Sequence, residues 1–96
     1  MARFFLLVNW TDEGVRNVKD TTKRAAAAKQ AFEKAGAKLT DVSWTVGPYD
    51  LILQAESPDV ESITAAALAI GKLGNARTLT LRAFGEAEMQ KILQKI

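Results

Sequence analysis

Residues 3 to 10 place Phe4, Phe5, Leu6, Leu7 and Val8 in succession, so a strand here is apolar on both faces and has to be covered on both. Thr11 offers a helix N-cap, and Asp12 and Glu13 follow where the helix dipole favours anions. A second start signal stands at Asp20-Thr21-Thr22, which predicts a short helix near 12–19 and a longer one near 21–35. Val15, Val18, Thr22, Ala25, Ala28 and Phe32 recur every three or four residues as its inward stripe, and Gly36 stops it. From Lys38 to Val46 the pattern alternates, with Val42, Trp44 and Val46 on one side. Gly47-Pro48 turns the chain, and Asp50 to Glu56 returns with Leu51, Leu53 and Ala55 on one side and Asp50, Ile52 and Gln54 on the other. A two-residue loop pairs Val46 with Tyr49 and Trp44 with Leu51, which brings both apolar sets to the same face.

Ser57-Pro58-Asp59 opens the next helix, whose stripe is Val60, Ile63, Ala67 and Ile70 and whose stop is Gly74. Ala76 to Phe84 is a last strand, read with Leu79, Leu81 and Ala83 inward and Thr78, Thr80 and Arg82 outward. Glu86 to Lys95 is a closing helix, acids first and lysines last. The order β-α-β-β-α-β plus one helix predicts an α+β, ferredoxin-like antiparallel sheet with helices on one face, within one domain spanning 1–96. Right-handed crossovers put the first strand in the middle. Its second apolar face then needs a partner sheet, so the chain is expected to be a homo-oligomer, a dimer or a multiple of dimers. Thr45, Ile52, Thr78, Thr80 and Arg82 are the expected interface residues, with an Arg82–Asp50 bridge among them.

The chain has no cysteine and no histidine. That removes disulfides, thiolate metal sites, the commonest general base and the usual zinc and haem ligands, so no metal and no cofactor is expected. A net charge of +2 is too small to argue for nucleic acid. Strand 50–56 also lacks the stacking aromatics of an RNA-recognition module. Seven of the thirteen cations lie between Arg16 and Lys38, opposed only by Asp20 and Glu33, a pattern usual for a solvated helix face, with an acidic partner or anionic ligand as the alternative. No apolar run reaches the ~18 residues of a membrane helix, and the first strand is too abruptly polar at Asn9 to serve as a secretion signal. The expected location is the cytoplasm.

Three blocks stand out: Asn9-Trp10-Thr11-Asp12-Glu13-Gly14, Gly47-Pro48-Tyr49-Asp50, and the run from Gly71 to Phe84. In this order and spacing they resemble the bacterial and archaeal GYD-domain family, whose naming residues are matched by Gly47, Tyr49 and Asp50. The resemblance implies a fold related to the dimeric α+β barrels, and it supplies no catalytic residues. Asn9, Trp10, Trp44, Tyr49, Asp50 and Arg77 are the candidate ligand-binding residues. Tyr49 also reads as a core aromatic, Asp50 as a turn acceptor, and Arg77 as an anion contact or a solvated cation. The functional reading is a small-molecule-binding or structural module without chemistry of its own. The alternative is a cofactor-free oxygenase- or isomerase-like enzyme with an apolar cavity between sheet and helices, lined by Asn9, Trp10, Trp44 and Tyr49.

Overall fold

The computed structural model describes residues Met1–Ile96. Its elements are strand β1 (Ala2–Trp10), helix α1 (Asp12–Arg16), a 3-10 turn (Val18–Asp20), helix α2 (Thr21–Lys34) and strands β2 (Lys38–Trp44) and β3 (Leu51–Ser57). Helix α3 (Val60–Gly71), strand β4 (Ala76–Ala83) and helix α4 (Glu86–Leu93) follow. The four strands form one antiparallel sheet in the order β2-β3-β1-β4, with β1 inside as the crossover rule requires.

The core lies on one face of this sheet. Phe4, Leu6 and Val8 of β1 and Leu51, Leu53 and Ala55 of β3 point toward Phe32 of α2 and Ile63 and Ala66 of α3, all buried. Trp44 pairs with Leu51, the register that alternation predicts. A bulge between Leu39 and Asp41 shifts β2 by one residue, which lets Leu39 and Val42 share the core face despite their odd spacing.

Three expectations need correction. The inward helical stripe begins only at Ala25: Val15, Val18 and Thr22 are exposed, because the 3-10 turn between α1 and α2 breaks the helical phase. The hairpin connection is six residues, 45–50, rather than two. Val46 is therefore fully exposed at its tip, and Tyr49 is half-buried outside the core. Gly47 sits at φ +134°, which explains its place in that loop. Most consequentially, β4 is turned over. Thr78, Thr80 and Arg82 pair with Val8, Leu6 and Phe4 and so share the helix-covered face. Leu79 and Leu81 pair with Leu7 and Phe5 on the other. Both sets follow the register of a central strand that is apolar on both sides, so counting apolar residues cannot tell which face is which.

Helix α4 is tied to the body chiefly through Arg82. That guanidinium lies 4.3 Å over the Phe84 ring and 5.7 Å over Phe4, and it pairs with Glu88 at 3.1 Å. The expected Arg82–Asp50 bridge is absent, since Arg82 pairs with Phe4 near the start of β1 while Asp50 is bonded to Val8 and Trp10 at its far end. The Glu88 carboxyl is held below its ordinary range first by the Gly85 backbone N–H and then by Arg82. Asp59, the N-cap of α3, is lowered first by the Ser62 backbone N–H, at 2.7 Å. Both contributions are full above the ordinary carboxylate range and are lost as pH falls through the lowered values.

Candidate functional site: the motif cluster and the open sheet face

The three sequence blocks converge at one end of the sheet. Asp50 donates its backbone N–H to the Val8 carbonyl at 2.8 Å, and its Oδ2 accepts the Trp10 N–H at 2.8 Å. One carboxylate thus closes the end of the central strand from a loop forty positions away. Thr11 donates its N–H to the Asn75 carbonyl (3.1 Å) and its hydroxyl to the Gly74 carbonyl (2.5 Å), while accepting the Gly14 N–H at 3.2 Å as the cap of α1. Gly14 is buried against Asn75, so close that a Cβ there would stand 2.1 Å from the Asn75 carbonyl oxygen. Arg24 seals the same corner by donating to the Gly14 and Asn17 carbonyls, at 3.1 and 2.7 Å.

Every polar group named in this cluster is occupied by another part of the chain. The arrangement is a clasp between the β1–α1 junction, the hairpin and the α3–β4 junction. Asp50→Asn keeps an acceptor for Trp10 and is expected to cost under ~1 kcal/mol in urea unfolding. Asp50→Ala strands that N–H and is expected to cost about 1–3 kcal/mol, with loss of hydrogen-exchange protection at Trp10.

The remaining candidate residues scatter around the clasp. Trp44 donates its indole N–H to Thr21 Oγ1 at 3.0 Å, at the start of α2. The Tyr49 carbonyl accepts from Thr45 Oγ1 at 2.6 Å. Asn9 and Arg77 are exposed and pair in register on the face opposite the helices. Trp10 lines an apolar cavity of about 60 Å³ between sheet and helices with Val8, Leu51 and Ala28. A neighbouring one of about 110 Å³ lies between α2 and α3. Small-molecule pockets usually hold roughly 300–1,000 Å³, so neither of these two has room for a substrate. A more open groove of about 640 Å³, lined by Leu68 and Lys72 from the α3 end and by Arg77 and Thr78 of β4, lies within that range.

The other face of the sheet is uncovered. Ile52, Leu7 and Leu79 form one cross-strand row there, and Phe5 and Leu81 form the next. Leu79 is 50% exposed and Leu81 43%, although they sit in the middle of a strand. The rows end in polar residues: Ser43 beside Ile52, Gln54 beside Phe5, and Arg3 opposite Glu56. A compact apolar centre with a polar rim is the anatomy of a protein interface. Of the expected interface residues, Ile52 lies on this face, and Thr78, Thr80 and Arg82 lie on the other. The leucines were legible in principle, because a strand beside a two-faced central strand inherits its two-faced burial.

This is the architecture of a small α+β domain with helices on one face of its sheet and the other face uncovered. The chain belongs to the GYD-domain family, whose sequence model matches residues 4–93. One relative, from Thermus thermophilus, is named "Glutamine synthetase and cystathionine beta-lyase binding protein". It is 27% identical over 90 residues, which cover 93% of this chain and 95% of the relative. The crystal structure of TTHA0845, from the same bacterium, is similar with a TM-score of 0.57 and 28% identity, covering 88% of this chain and 95% of that one. No helix is long and apolar enough to cross a membrane.

Proposed function

We propose that this protein is a homo-oligomeric binding module without chemistry of its own, in which the open sheet faces of two copies meet as a dimeric α+β barrel and the helical layers remain free for protein partners. The uncovered rows of Ile52, Leu7, Leu79, Phe5 and Leu81 carry this reading. A contiguous apolar strip of this kind is costly to leave in water and marks an association surface. Two further observations support it. The Asp50 and Thr11 side chains at the motif cluster are bonded within the chain, and the two cavities between α2 and its neighbours are too small for a substrate. The name of the Thermus thermophilus relative points to metabolic enzymes as the partner class.

The test is direct binding. Purified glutamine synthetase and cystathionine beta-lyase from the same organism as this protein are passed over the immobilised chain. Saturable binding of at least one enzyme is expected. No binding of either at low ionic strength contradicts the partner class.

A further inference from the structure

We infer that the solvent face of α2 docks an acidic surface patch on the protein partner, an inference that rests on the binding-module reading above. Charge is divided unevenly along this chain. The segment from Arg16 to Lys38 holds seven cations and two acids, and the remainder holds six cations and nine acids. Such a segment could neutralise itself internally, but it does not. The one salt bridge in the protein is Arg82–Glu88, far outside this segment. Arg24 alone is engaged, by the Gly14 and Asn17 carbonyls.

The exposed positions form a surface of definite shape. Lys23, Ala26, Ala27, Gln30 and Lys34 recur at helical spacing and are all solvent-exposed, while Ala25, Ala28 and Phe32 turn toward the sheet. Two lysines therefore stand about 16 Å apart along the helix, with a low alanine platform between them. Lys19, in the 3-10 turn that precedes the helix, is exposed as well. Small side chains let a second backbone approach closely, and the flanking ammonium groups supply steering and orientation.

The same details choose among anionic partners. A membrane would need large apolar side chains to insert, and this face has only alanines. A nucleic-acid strand would need stacking aromatics and an unbroken cationic track. None of these positions is aromatic, and Asp20 and Glu33 break the run of cations along the segment. A folded acidic patch asks only for spaced cations around a flat centre. In the proposed dimer each body carries two such faces, so an oligomeric enzyme could be held at two points, with a gain in avidity.

The closing experiment compares Lys23→Glu/Lys34→Glu with Lys72→Glu/Lys95→Glu, which alters charge equally but away from α2, at exposed positions. Association with the two enzymes is followed at low and physiological salt, alongside a single-stranded oligonucleotide of about 12 nucleotides, within the usual site size of a single-strand binder. Light scattering accompanies every variant. The expected result is wild-type association that slows as salt rises. The α2 variant should associate at least roughly tenfold more slowly, and the control within about twofold. Wild-type rates in the α2 variant overturn the docking face and leave the binding-module reading standing. Failure of the wild type to bind either enzyme removes both. Oligonucleotide binding that the α2 variant loses assigns the face to nucleic acid, and a changed oligomer mass assigns it to contact between copies. Either result overturns the inference.

Discussion

Gly14→Ala is expected to destabilise the protein by about 3 kcal/mol or more, lowering Tm by on the order of 12 °C in a thermal scan. The added methyl would sit 2.1 Å from the Asn75 carbonyl oxygen, 3.1 Å from its carbon and 3.3 Å from the Trp10 Cβ. Two of those atoms are backbone, and Thr11 already donates its N–H to the same carbonyl. Relief therefore means opening the clasp between β1 and the α3–β4 junction. Gly71→Ala is the matched control: no atom lies within 4 Å of its added methyl, and it ends a helix without positive φ. It should be neutral or stabilise by up to ~1 kcal/mol. Equal effects at the two sites would show that the clasp yields freely.

Leu79→Glu with Leu81→Glu is expected to convert the assembled protein to single 10.5 kDa chains. Both leucines are about half exposed in the protomer, so the substitutions leave its core untouched. In a face-to-face dimer they bring four carboxylates into an apolar interface, and each unpaired buried charge costs several kcal/mol. Far-UV circular dichroism should remain that of the folded protein. Thr78→Glu with Thr80→Glu provides the contrast, since these neighbours face the helices and their charges point away from the proposed contact. That pair should leave the mass unchanged. The reverse outcome, with the threonine pair dissociating the assembly and the leucine pair not, would restore the facing that composition alone suggests.

Local signals made much of the fold legible in the sequence. Alternation and turn residues gave the Trp44–Leu51 register, and Gly36 and Gly74 marked helix ends through positive φ, +92° and +86°. What stayed hidden depended on partners distant in sequence. No local pattern announces the bulge before Asp41, because an extra residue looks like ordinary alternation until the opposing strand is in place. The facing of β4 was ambiguous because its threonines can pack under a helix and its leucines can stand on an open sheet. Asp50 read as a turn acceptor, a ligand-binding residue or a bridge to Arg82. Its engagement with the Trp10 N–H is visible only once the hairpin lies against the end of β1.

The account stands most directly on the wild-type mass in solution, measured by light scattering coupled to size exclusion at micromolar concentration. It predicts a mass of at least two 10.5 kDa chains, stable on dilution through the micromolar range. A single 10.5 kDa species throughout that range would contradict it.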